Sequence, residues 1–120
     1  MKDQEPPTVD PTLSYLAADF SKMITSKDVK HGKPHPEPYL KALELAGVKA
    51  NEAIVIENAP LGVKSGSDAG VFTVGVTTGP IPKEMIADAG ADIIFDSMQE
   101  FAEQLPELIK QSQELTERTY

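Results

Sequence analysis

Side chains able to do chemistry gather at three points of the sequence where a loop begins. The segment Lys27-Asp28-Val29-Lys30-His31-Gly32-Lys33-Pro34 is basic within an acidic chain. Glu57-Asn58-Ala59-Pro60 follows the apolar run Ala53–Ile56, and Thr77-Thr78-Gly79-Pro80 follows Val71–Val76. A lysine offers a point charge to phosphate, while carboxylate and amide oxygens are the hard donors Mg²⁺ takes. If the three loops meet, Lys33, Thr77 and Thr78 would hold an anion, and Glu57 with Asn58 a divalent cation. Each residue also has an ordinary reading. Loop lysines are usually solvated, Glu57 could serve helix amides, Asn58 suits a turn or cap, and Thr-Thr-Gly-Pro is common turn chemistry. His31 and His35 lack the spacing of a zinc site. Glu100, Glu103 and Glu107 read as a solvated helix face.

The elements that would position these loops follow from hydrophobic period and punctuation. Lys22–Ser26 reads as a short strand, and the polar loop 27–36 carries Gly32, Pro34 and Pro36. Pro38 suits the first turn of a helix in which Tyr39, Leu40, Leu43 and Ala46 recur at helical spacing and Gly47 is the stop. Ala53–Ile56 is a strand covered on both faces. A helix from Pro60 to Gly70 places Gly62 and Gly66 on one side, where they permit close packing. Val71–Val76 is the next strand. A helix opening at Pro82 or Lys83 turns Met85, Ile86 and Ala89 inward and stops at Gly90. Asp92–Phe95 is a further strand. Ser97 and Glu100 form a capping box for a last helix with Phe101, Leu105, Leu108 and Ile109 as its apolar stripe, disturbed at Pro106. Short apolar strands alternating with helices predict an α/β fold, a mostly parallel sheet with flanking helices. In such sheets ligands bind at the carboxyl ends of the strands, where all three loops fall.

The chain has 120 residues, with 11 Lys and Arg against 19 Asp and Glu, giving a net charge of −8. An acidic surface repels phosphate backbones, which argues against nucleic acid as a partner. No apolar run approaches the ~18–20 residues that cross a bilayer, which argues against a membrane. Without cysteine there is no disulfide framework, thiolate nucleophile or Cys-ligated zinc. The start MKDQEPP has no apolar signal segment, so a cytoplasmic location is the expectation. Residues 1–20 read as a flexible, proline-rich acidic segment and 21–120 as the α/β core.

Three separated stretches carry a family likeness. They are Gly32-Lys33-Pro34-His35-Pro36-Glu37, Ile54-Val55-Ile56-Glu57-Asn58-Ala59-Pro60-Leu61-Gly62-Val63 continuing to Ala69-Gly70, and Gly90-Ala91-Asp92-Ile93-Ile94-Phe95-Asp96-Ser97. In this order and at these spacings, residues from about 23 to 101 resemble the C-terminal half of the core domain of a haloacid dehalogenase (HAD) superfamily hydrolase. Among these, the β-phosphoglucomutase-like phosphatases are the most similar subgroup. The resemblance implies that Lys33 balances charge at the phosphate, so that it is both catalytic and substrate-binding. It implies that Glu57 and Asn58 stand at the position of an acidic pair that helps to hold Mg²⁺.

The departures from that family matter as much. Its Asp-x-Asp motif, which supplies the nucleophile that becomes an aspartyl-phosphate, has no counterpart here: Asp3, Asp10 and Asp19 are isolated. The second-motif strand and the helical cap domain are not evident either. Asn58 replaces the usual Asp with an uncharged amide, so Mg²⁺ should bind weakly or not at all. The expectation is a C-terminal portion of a Mg²⁺-dependent phosphatase or phosphomutase, inactive alone, whose substrate in the full-length context is a small phosphorylated metabolite. The alternative is a non-catalytic anion-binding or interaction module. Lacking the first-motif strand, the strands at 22–26 and 54–56 either pair with each other, meet a second copy or a complementing chain, or leave a marginal fold.

Overall fold

The computed structural model describes residues 24–119, with side chains described as far as Lys110. Residues 1–23, and with them the segment read as a flexible N-terminus, lie outside the described residues. The element order is α1 (Glu37–Ala46), a 3₁₀ turn (Ala50–Glu52), β1 (Ile54–Glu57), α2 (Pro60–Asp68), β2 (Phe72–Val76), α3 (Lys83–Asp88), β3 (Ile93–Phe95) and α4 (Met98–Thr119).

The three strands form one parallel sheet in the order β1-β2-β3. Ile54 lies opposite Phe72 and Glu57 opposite Gly75, while Val76 pairs with Phe95. The register therefore carries the loops after β1 and β2 to one edge. Every residue of β2 is buried, as a central strand covered on both faces requires.

The two faces are packed differently. On one, α2 lies so close to β1 and β2 that a Cβ at Gly66 would stand 2.8 Å from Val55 Cγ1 and 3.0 Å from the Thr73 hydroxyl. Gly75 plays the matching part under α3, where a Cβ would meet Ile86 Cγ2 at 2.4 Å. Val63, Ser65 and Ile86 are fully buried on this side. On the other face, α4 lays Phe101 and Leu108 over Phe72, Val74, Val76 and Phe95, with Ile54, Ile56, Ile93 and Leu105 packed at the margin. Burying each such side chain contributes roughly 1.5–3 kcal/mol.

The helix boundaries have local causes. Pro36 and Pro38 start α1, and Gly47 at φ 71° ends it, its N–H donating to the Glu44 and Leu43 carbonyls. Pro60 opens α2, and Gly70 at φ 79° leads the chain into β2. The Ser97 hydroxyl accepts the Glu100 N–H at 3.0 Å at the start of α4. That helix continues through Pro106, so the expected disturbance does not end it.

Three expectations need correction. Ile24–Ser26 form no strand: Thr25 instead closes a turn in which Asp28 accepts its N–H at 2.7 Å and its carbonyl accepts the Asp28 N–H at 2.9 Å. Strand residues need a partner, and among the described residues the outer edge of β1 pairs with nothing, so residues 24–26 do not pair with 54–56; Lys22 and Met23 lie outside the described residues. Met85 is 50% exposed rather than inward, because α3 is a short helix that turns only Ile86 fully into the sheet. Leu40 is 48% exposed and Ala46 is exposed too, since α1 touches α2 rather than lying on the sheet.

Candidate functional site

Lys33 and Glu57 are 24 residues apart in sequence and meet at the carboxyl edge of β1, with Lys33 Nζ donating to Glu57 Oε1 at 2.6 Å. The Lys33 side chain is 44% exposed and that of Glu57 only 11%. A pair open to water on one side adds little stability; its consequence is that the ammonium is held in place while facing solvent.

The loop that presents Lys33 is tied down by its own residues. The Glu37 carboxylate accepts the Lys30 N–H at 2.6 Å and the His31 N–H at 3.3 Å. These bonds, the first above all, hold the Glu37 carboxyl below its ordinary value. The Glu37 N–H donates to His35 Nδ1 at 3.0 Å, the His35 N–H to the Gly32 carbonyl at 3.0 Å, and the buried Ser65 hydroxyl to the His35 carbonyl at 2.7 Å. The turn around Lys33 is thus pinned to α1 and α2. His31 and His35, which sequence spacing gave no shared role, stack with ring centroids 4.8 Å apart.

Glu57 has a second partner that the sequence reading treated only as an apolar helix position. The Tyr39 hydroxyl donates to the same Oε1, and the Lys33 ammonium sits 5.4 Å from the Tyr39 ring centroid. Burial first, then the hydrogen bond and charge of Glu57, push the phenol far above its ordinary value, so Tyr39 remains a donor. The opposite side of the carboxylate rests on Gly62, where a Cβ would stand 2.2 Å from Glu57 Cδ. The available signal was position: Tyr39 is on the first turn of the helix after the lysine loop, and Gly62 is in the first turn after Glu57.

The remaining predicted residues divide. Asn58 Nδ2 donates to the Thr78 hydroxyl at 3.4 Å, which joins the loops after β1 and β2. Ile56, Glu57, Asn58, Val76, Thr78 and Met98 line a shallow depression of about 310 Å³ at this edge. Thr77 turns away: its N–H donates to the Phe95 carbonyl at 3.0 Å and its hydroxyl faces the same oxygen at 3.5 Å, which continues the link to β3.

The donor set for Mg²⁺ is short. Glu57 supplies one carboxylate, whose Oε1 already receives Lys33 and Tyr39, and Asn58 supplies one amide. Among the described residues no group of three His, Cys, Asp or Glu side chains could hold a metal ion. Mg²⁺ fills its octahedron largely with waters and substrate phosphate oxygens beside one or two carboxylates, and the described residues of this edge would contribute one carboxylate and one amide.

An α/β sheet with a lysine and a carboxylate at its carboxyl edge, joined to the motifs already quoted, defines a class. The chain belongs to the haloacid dehalogenase-like hydrolases, whose family model matches residues 6–76. Among curated proteins it is similar to 2-deoxyglucose-6-phosphate phosphatase 2 of Saccharomyces cerevisiae, 42% identical over 59% of this chain and 31% of the yeast protein. Among solved structures it is similar to one assigned as a β-phosphoglucomutase from Bacteroides vulgatus, with TM-score 0.71 and 48% identity over 78% of this chain and 38% of that one. A HAD-family hydrolase from Deinococcus radiodurans, solved with bound phosphate and sodium, is similar at TM-score 0.59 and 28% identity over 64% of this chain and 35% of that one. The chain thus spans about a third of the length of the relatives it matches. No helix among the described residues is long and apolar enough to cross a membrane.

Proposed function

We propose that this chain carries the phosphate-binding side of a phosphatase or phosphomutase centre acting on phosphate monoesters, and that it binds phosphate without turning substrate over by itself. The observation that supports this best is the Lys33–Glu57 pair at the carboxyl edge of the parallel sheet, with the ammonium half-exposed. An ammonium has three donors and Glu57 takes one, so two remain for phosphate oxygens. Asn58 and Thr78 line a depression that Glu57, the partner of Lys33, also lines, and there they would orient the anion. The yeast relative's name and the Deinococcus structure's bound phosphate agree with this ligand class.

Covalent turnover in this class of reaction needs an attacking carboxylate that takes the phosphoryl group and releases the alcohol, after which water cleaves the acyl-phosphate. No Asp-x-Asp occurs in the chain, which supports inactivity alone. The role of Lys33 is to hold the phosphate and offset its charge; that of Glu57 is to hold Lys33. Mg²⁺ is implied by the family resemblance, and with one carboxylate and one amide its affinity here is expected to be weak. The outer edge of β1 and the half-buried Ile54 and Ile56 would receive a strand from a second copy or a complementing chain. The substrate in that assembly would be a small phosphorylated metabolite.

Calorimetric titration with inorganic phosphate tests the binding claim. Saturable binding in the millimolar range, lost in Lys33→Ala, is expected. No heat, or heat that Lys33→Ala leaves unchanged, would remove Lys33 from this role. Light scattering tests the open edge: a monomer at every concentration would exclude the second copy and leave a different chain as the partner.

A further inference from the structure

We propose that Tyr39 is a positioning residue of this site: its hydroxyl fixes the Glu57 carboxylate and, through it, the Lys33 ammonium. The proposal rests on the reading of Lys33 as the phosphate-binding group. Three observations lead to it. The Tyr39 hydroxyl and the Lys33 ammonium donate to one and the same oxygen, Glu57 Oε1. The Tyr39 ring also lies beside the ammonium, 5.4 Å from centroid to Nζ, so both ends of the Lys33–Glu57 pair touch one side chain. Finally, the carboxylate is closed in from behind, since a Cβ on Gly62 would stand 2.2 Å from Glu57 Oε2 and 2.5 Å from Oε1.

Glu57 is therefore wedged between the hydroxyl of α1 and the backbone of α2. A carboxylate with one donor is free to turn about its terminal torsion, which is broad and two-fold. With two donors on one oxygen and no room behind, it has a single orientation, and the lysine bound to it has one too. Tyr39 makes no claim on the phosphate itself; it acts through Glu57.

Tyr39→Phe keeps the ring beside Lys33 and removes only the hydroxyl, so it isolates the clamp. The test uses the full 120-residue chain and two independent readings. In ¹³C-tyrosine NMR at neutral pH, the Tyr39 ring signal beside the hydroxyl (identified by its loss in Tyr39→Phe) should be that of a hydrogen-bonded phenol. Glu57→Ala should move that signal to the position of a solvated tyrosine. In titrations with inorganic phosphate, Tyr39→Phe should weaken binding about five-fold, as expected for losing one charge-assisted hydrogen bond in a partly exposed site. The same change made on top of Glu57→Ala should have no further effect, because the residue through which Tyr39 acts is gone. Gly62→Ala, which displaces the carboxylate and leaves Tyr39 and Lys33 in place, should reproduce the weakening.

A Tyr39 signal that Glu57→Ala leaves unmoved overturns the clamp. So does a Tyr39→Phe protein that binds phosphate like the wild type, or one whose loss adds fully to that of Glu57→Ala. Wild-type protein that binds no phosphate overturns the Lys33 reading and with it the clamp's purpose. The tyrosine signal is read without ligand, so it separates that result from failure of the Tyr39–Glu57 contact.

Discussion

The two faces of the sheet are built on opposite principles. Under α2 and α3 the contact is made by small residues, Gly62, Gly66, Gly75 and Ser65, so that backbone approaches strand directly. Under α4 it is made by large ones, Phe72, Phe95, Phe101 and Leu108, and the cover thins toward β1, where Ile54 and Ile56 are half-buried. The candidate site belongs to the first face. Glu57 continues the side of β1 that carries Val55, and its carboxylate is set by helix backbone on one side and by Tyr39 on the other. Close packing on small residues leaves a side chain little freedom, which is what a group that must hold a lysine still requires. The looser face, beside the edge of β1 that pairs with nothing among the described residues, is where further structure has room to add.

The sharpest way to break this contrast is to cut into the tight face. Ile86→Ala should cost about 2–5 kcal/mol in denaturant unfolding, because Ile86 is fully buried and the glycine-lined surface around it has few side chains able to collapse into the cavity. Gly66→Ala comes next, at about 1–3 kcal/mol, since the new methyl overlaps Val55 and Thr73 and α2 must move off the sheet. Ile56→Ala on the thin part of the other face should cost less than either, as Ile56 is only partly buried and water already reaches it. If Ile56→Ala proves as damaging as Ile86→Ala, the two faces are equally closed and the contrast is wrong.

The smallest effect sharpens the picture at the lysine loop. The Glu37 carboxyl lies below its ordinary value of 4.5 in the folded chain, so it favours the folded loop above that pH, and the benefit is lost as pH falls through the lower folded value. Asp28, held down first by the Thr25 N–H, acts in the same sense below its ordinary 3.8. The Lys30 and His31 amide resonances should therefore shift together between about pH 4.5 and the acid limit of folding, and Glu37→Gln should abolish that joint transition. Amide shifts that stay flat through this range would mean the carboxylate does not hold the loop.

Much of this was legible in the sequence, for reasons that can be named. Strands at 54–57, 72–76 and 93–95 announce themselves as β-branched apolar runs bounded by Gly, Pro or polar residues, and Gly62 with Gly66 predicts the close approach of α2. Lys33 and Glu57 were each readable as loop candidates for one edge, but Glu57 was grouped with Asn58, and its direct pairing with Lys33 appears only in the structure. What escaped depended on partners. Ile24–Ser26 have strand-like composition, yet a strand exists only where another lies beside it. Tyr39 satisfied a helical apolar period, and its hydroxyl's destination 18 residues away across two elements left no local trace. Thr77 and Thr78 are identical in type, and only the twist of the chain after β2 decides which one reaches the depression.

The central claim is a site that holds phosphate but lacks the group that attacks it. It is tested most directly by assaying the purified chain with a generic phosphate monoester and Mg²⁺, beside Lys33→Ala and Glu57→Ala proteins prepared identically. The predicted result is no phosphate release above background from any of the three. Release by the wild-type chain that both substitutions abolish would contradict the account, because it would place a working nucleophile within these 120 residues.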